Sequence, residues 1–112
     1  MRIGKLRRMA IYAVDGERVR RELDVDFTMG GTHAVYRFIP KSEIWIDSCL
    51  GTVDRYATIV HEYVEHELMA KDGLSYDEAH DLSSEIESQF REKFTSRTAN
   101  LKGVEKLLQT IP

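Results

Sequence analysis

The sequence predicts an α+β fold in one domain of residues 1–112: a small antiparallel three-stranded meander, two principal helices and a short C-terminal helix. Three observations support this. Apolar residues recur at every second position in much of residues 23–47, and at spacings of three and four after Gly51. Ser75-Tyr76-Asp77-Glu78 has the pattern of a helix capping box. A chain of 112 residues fits one hydrophobic core, so we expect no second domain.

The N-terminal segment, about residues 1–22, is basic. Residues 1–21 contain seven basic side chains against Asp15 and Glu17. Met9–Val14 is apolar and ends at the turn signal Asp15-Gly16, and its pattern allows either a strand or a short helix. Residues 17–23 allow a brief helical turn.

Three strands are predicted within residues 23–47. Leu23, Val25 and Phe27 alternate with acidic residues, residues 33–39 are rich in aromatic and β-branched side chains, and Glu43–Asp47 alternates again. Turn signals separate them, so an antiparallel meander accounts for the pattern.

Helices are predicted over about residues 54–94 and 100–109. Tyr56, Ile59, Val60, Tyr63 and Val64 mark the buried face of the first, which ends near Gly73. The capping box starts a second helix at about Tyr76, which continues to roughly residue 94.

The first helix carries His61-Glu62-Tyr63-Val64-Glu65-His66. Residues four apart lie on the same side of a helix, so His61 and Glu65 can both point at one metal ion. Glu62 can reach the space beside that ion as a catalytic carboxylate. This is the pattern of the His-Glu-x-x-His zinc helix with a carboxylate in the second position. Glu62 and His66 form a second pair four apart, which we rank lower because a more exposed side is expected for it.

A catalytic zinc ion usually has three protein ligands, and His80 is the best third candidate. It lies near the start of the second helix, and a short connection makes the two helices neighbours. Glu87, seven residues further on, could orient one of the ligands. Tyr63 or Tyr76 could stabilise a developing oxyanion. His33 is expected to be a loop residue and Cys49 a small buried hydrophobic residue, and Asp47 is expected at the rim of the site.

Three blocks of sequence resemble a small, largely uncharacterised bacterial and phage-associated family similar to zinc metalloproteases. They are residues 38–47, the stretch from His61 to Met69, and Gly73-x-Ser75-Tyr76-Asp77-x-Ala79-His80. The resemblance covers about residues 12–90. It implies a zinc-type site of His61, Glu65 and His80, with Glu62 beside it.

These observations predict a metal-dependent hydrolase, with zinc or another divalent transition metal as cofactor and a peptide or protein as substrate. The alternative is a non-catalytic metal-stabilised interaction module, phage- or prophage-related. The single cysteine and the lack of a long apolar run favour a cytoplasmic chain without a membrane anchor. A homodimer is possible. We do not expect a nucleic-acid partner, because the chain as a whole is acidic despite its basic N-terminal segment.

Overall fold

The computed structural model describes residues 1–111 and shows a mixed four-stranded sheet with four helices. In chain order the elements are β1 (Arg2–Leu6), β2 (Met9–Val14), α1 (Gly16–Glu22), β3 (Gly30–Gly31), β4 (Glu43–Asp47), α2 (Thr52–Ala70), α3 (Tyr76–Lys93) and α4 (Leu101–Gln109). The α+β class is therefore confirmed. Among residues 1–111, no helix is long and apolar enough to cross a lipid bilayer.

The sheet has the order β1-β2-β4-β3, so the predicted antiparallel meander is wrong. The basic N-terminal segment forms the hairpin β1–β2, and Met9–Val14 is a strand. β2 then pairs in parallel with β4, from Ala10 opposite Glu43 to Val14 opposite Asp47. A parallel pair needs a long connection. Here the connection consists of α1 and residues 23–42, and these residues are called the crossover below.

Two of the three predicted strands do not form. Leu23 and Val25 are 54 % and 76 % exposed, and Asp24 closes a side-chain turn by accepting a hydrogen bond from the backbone of Asp26. Residues 33–39 form turns, in which Thr32 O accepts hydrogen bonds from the amides of residues 35 and 36. A segment with alternating apolar residues forms a strand only where a neighbouring strand has a free edge to pair with. The meander required the edge of β4 that β2 occupies.

Two clusters of apolar side chains make up the core. The larger cluster joins the sheet to the helices through Ile11, Ile44, Ile59 and Phe90. The smaller cluster joins Val19 of α1 to apolar and aromatic side chains of the crossover, which pack here rather than in strands. Its other members include Phe27, Tyr36, Phe38 and Ile39 of the crossover and Trp45 of β4. Helix α2 is therefore fixed by the core along one side, which leaves its His61–Glu65 side facing α3 and the crossover.

Asp47, at the end of β4, connects α1 to the sheet. Contrary to the expectation that it lies at the rim of the site, it does not line the cavity beside the candidate metal ligands. Its buried carboxylate accepts hydrogen bonds from Arg20 Nη1 at 3.4 Å and from the amide of Cys49 at 3.0 Å. Gly16 approaches it so closely that a Cβ atom there would lie 2.1 Å from Asp47 Oδ2.

We therefore expect Gly16→Ala to destabilise the protein by about 1–3 kcal/mol, the usual cost of overpacking a filled site. The short, hydrogen-bonded side chain of Asp47 has little freedom to move away. Gly51→Ala is the control, because a Cβ atom there has no heavy atom within 4 Å. Urea unfolding curves measure both variants, and equal stability of the two would contradict this account.

Candidate metal centre

Helix α2 places His61 and Glu65 on one side, as predicted. Both are buried, with 8 % and 3 % of their surface exposed. A buried carboxylate loses its hydration, which is costly unless a cation or hydrogen-bond donors compensate for it. These two side chains therefore need partners from outside α2.

His80 of α3 is one such partner. Gly73, with a φ of 68°, lies in the connection after α2, where a left-handed conformation favours glycine. Ser75 then caps α3 as predicted: its side chain accepts a hydrogen bond from the amide of Glu78, and Glu78 accepts one from the amide of Ser75. This turn brings His80, in the second turn of α3, back to the side chains of α2.

The three predicted ligands meet at one point. His61 Nε2 lies 3.1 Å from Glu65 Oε2 and 3.2 Å from His80 Nδ1, and His80 Nδ1 lies 3.1 Å from Glu65 Oε2. Ligand atoms around a tetrahedral zinc ion, with bonds of about 2.0–2.1 Å, are about 3.3 Å apart. The three side chains thus have nearly the spacing of three corners of a coordination tetrahedron, and they could hold a metal ion.

Glu87 determines which nitrogen of His61 faces the cluster. Its Oε1 atom lies 2.9 Å from His61 Nδ1. An ionised carboxylate only accepts hydrogen bonds, so Nδ1–H donates, and the Nε2 lone pair of a neutral His61 points at Glu65. Electron pairs so close together repel one another unless a proton or a cation lies between them. The arrangement of acceptors therefore favours a bound cation.

Glu87 is itself held by Arg91. Arg91 Nε donates to Glu87 Oε2 at 2.9 Å, and Arg91 Nη1 donates to Asp54 Oδ1 at 2.7 Å. The hydrogen bond with His61, supported by Arg91, lowers the pKa of Glu87. A carboxylate that stays ionised and accepts from a ligating histidine is the usual support of a metal-bound imidazole.

The charges around His61 show that the cluster attracts positive charge. Burial alone would lower the pKa of His61, but its hydrogen bonds with Glu65 and Glu87 outweigh burial and raise that pKa to about 10. Burial raises the pKa of Glu62 to about 8, and the neighbouring Glu65 adds to this increase. Without a metal ion, a proton neutralises part of the negative charge; a divalent cation would compete for the same place.

A cavity of about 400 Å³ opens beside the three ligands. Glu62, only 9 % exposed, forms part of its wall, as do Tyr36 and Tyr76. The Tyr76 hydroxyl lies 3.5 Å from His80 Nδ1, and the two rings stack with centroids 5.4 Å apart. The cavity thus places a carboxylate and a phenol next to the candidate metal position.

Other residues considered from the sequence lie elsewhere. Tyr63 is buried in the core, and its hydroxyl accepts a hydrogen bond from Arg7 rather than facing the cavity. His33 and His66 line a different cavity, so the lower-ranked pair of Glu62 and His66 is divided between two cavities. Glu62 is buried, which contradicts the exposed position expected for that pair. Cys49 is exposed.

Sequence reasoning missed two parts of the site. Arg91 follows Glu87 by four residues, and this helical spacing could have identified the ion pair. Asp26, Met29 and Tyr36 of the crossover also line the cavity, but no local pattern predicts this, because the cavity joins them to residues far away in the chain.

No protein-family model matches the chain, and neither a curated protein nor a solved structure shows significant similarity to it. The part of the metalloprotease resemblance that the structure supports is the cluster of His61, Glu65 and His80. Membership of the phage-associated family stays a prediction.

We expect Glu87→Gln to weaken metal binding by about 10–100-fold, the usual effect of removing the partner of a ligating histidine. Glutamine can still accept the hydrogen bond but lacks the charge that supports it. Competition with a chromophoric zinc chelator measures the affinity. Glu85→Gln, an exposed change on the same helix, is the control. Equal affinities of the two variants would show that Glu87 does not support the site.

Proposed function

We propose that this protein is a metal-dependent hydrolase, of the zinc type, that cleaves a peptide-like amide bond. The observation that carries the proposal is the triangle of His61, Glu65 and His80 beside a cavity walled by the buried Glu62. Two histidines and one glutamate are the ligand set of thermolysin-type zinc sites, in which the fourth position is left for water.

The side chains suit zinc, although other divalent transition metals accept imidazole and carboxylate ligands too. When bound, such an ion makes water more acidic and polarises a carbonyl oxygen. Glu65, His61 and His80 would hold the ion. Glu87 would keep His61 in the tautomer whose Nε2 is free to bind.

Glu62 is the proposed general base, which takes a proton from the attacking water and returns it to the leaving amine. It does not belong to the converging triangle, and its position in the wall leaves its carboxylate available to a substrate. Tyr76 is the better candidate for hydrogen bonding to the developing oxyanion, because it lines the cavity whereas Tyr63 does not.

The peptide-like substrate is supported by the resemblance to metalloproteases and by the composition of the cavity. Tyr36, Val35 and Met29 supply apolar contact area, and carboxylates and the two tyrosines supply polar groups. Such a mixture is usual in pockets that bind an organic substrate.

The second candidate function is a non-catalytic metal-stabilised module. It is favoured by one observation: the ligands come from both α2 and α3, so an ion would join the two helices. In that case metal binding would contribute to folding free energy, and Glu62 would have no chemical role.

We expect protein purified without chelators or a histidine tag to contain about one equivalent of zinc or a similar ion, as a three-ligand site requires. Elemental analysis measures it, beside the variant His61→Ala/Glu65→Ala, which should contain none. Zinc added to metal-free wild-type protein at 100 times its dissociation constant should stabilise it by about 2.7 kcal/mol relative to the same protein without zinc. No metal in either protein, and no binding on titration, would contradict the metal site.

We expect Glu62→Gln to keep the metal and the fold but to lose hydrolysis of a peptide library by about 100-fold or more, the usual contribution of a general base. Mass spectrometry of the digested library measures the loss. Glu67→Gln is the matched control, since Glu67 is on the same helix but pairs with Lys71 outside the cavity. Full activity of Glu62→Gln would refute its role as base. Metal binding without any hydrolysis by the wild-type protein would support the structural module.

A further inference from the structure

A second cavity, of about 450 Å³, lies beside the C-terminal half of α2. Met69 and Ala70 of α2 and Ala34 of the crossover supply its apolar wall. Its polar wall is made only of basic or imidazole side chains: His33, Arg37, Lys41 and His66. No carboxylate lines it, although the protein as a whole has a net charge of −3.

The two cations of this cavity are free of acidic partners. Within residues 1–111, neither Arg37 nor Lys41 forms an ion pair with a carboxylate. Five arginines of residues 1–111 do form such pairs, for example Arg20 with Asp47 and Arg91 with Glu87. An arginine and a lysine facing one cavity repel each other, and an anion between them would relieve that repulsion.

His33 directs the guanidinium of Arg37. A backbone carbonyl only accepts hydrogen bonds, so His33 Nδ1 must donate to Ile39 O, at 2.8 Å. The Nε2 atom of a neutral His33 therefore carries a lone pair, which accepts a hydrogen bond from Arg37 Nη1 at 3.4 Å. This long contact places Arg37 Nη1 beside His33; the side chain is otherwise exposed, and no other acceptor within residues 1–111 binds its N–H groups.

His66 of α2 forms part of the cavity wall. Its Nδ1 atom is buried and has no hydrogen-bond partner within the described chain. Because this atom is buried, an occupant of the cavity does not reach it, and the polar groups that an occupant can reach are those of Arg37 and Lys41.

We propose that this cavity binds a small organic anion. Its carboxylate or phosphate group lies between Arg37 and Lys41, and its apolar body contacts Ala34, Met69 and Ala70. Guanidinium and ammonium groups both form strong charge-assisted hydrogen bonds with such oxygens. This site shares no lining residue with the cavity at the metal cluster, so the proposal stands whether or not the protein is a hydrolase.

The test is a titration of the full-length protein, followed by amide chemical shifts in NMR spectra, with phenyl phosphate, benzoate and neutral benzyl alcohol. The protein keeps its metal, because an anion bound at the metal cluster is recognised by shifts at His61, Glu65 and His80 instead. The anions should shift the amides of Ala34, Met69 and Ala70, and at least one should bind about tenfold more tightly than benzyl alcohol. Whichever anion binds more tightly identifies the group as phosphate or carboxylate.

Arg37→Gln and Lys41→Gln should each weaken binding of that anion by about tenfold, the value of a hydrogen bond to a charged group. Arg18→Gln, which removes an exposed arginine paired with Glu22 on α1, should leave it unchanged. The proposal is overturned if benzyl alcohol binds as tightly as the anions. It is equally overturned if Arg18→Gln weakens anion binding as much as Arg37→Gln and Lys41→Gln do, or if Arg37→Gln and Lys41→Gln bind the anion like the wild-type protein.

Discussion

The hydrogen bond between His61 Nδ1 and Glu87 is the contact on which the candidate site depends, because it turns the other nitrogen of His61 toward Glu65 and His80. Arg91 and Asp54 continue this chain of charges between α3 and α2. Helices α2 and α3 each supply at least one candidate ligand and at least one charged group that supports the ligands. A small shift of α3 along α2 would therefore change both the ligand spacing and the tautomer of His61. The packing of the two helices and the chemistry of the site therefore constrain each other.

Buried negative charge is the second constraint. Glu62, Glu65 and Glu87 line the same cavity, and burial raises the pKa of Glu62 in particular. A protein selected for stability alone would gain little from three carboxylates at one position, since apolar side chains of similar volume avoid the loss of hydration. A site that must attract a divalent cation has a reason for this arrangement, because unsatisfied negative charge is what binds the ion.

The crossover between α1 and β4 does more than connect two parallel strands. It contributes Asp26 and Tyr36 to the cavity at the metal cluster, and His33, Arg37 and Lys41 to the basic cavity. Consecutive residues Tyr36 and Arg37 thus face different cavities, one mainly acidic and one basic. Since α2 also lines both cavities, the same helix separates regions of opposite charge.

The sequence by itself determined what depends on local spacing. Helix α2 with His61 and Glu65, the capped start of α3, and strand β4 follow from periodicity and side-chain caps, which neighbouring residues decide. The ligand triangle was also anticipated, because a short connection brings α3 back to α2 and limits where His80 can lie. Only the tertiary structure decided the parallel pairing of β2 with β4, the irregular course of the crossover and the burial of Glu62. These depend on which strand pairs with the edge of β4 and on which segment covers α2. Such contacts between residues far apart in the chain leave no periodic pattern in the sequence.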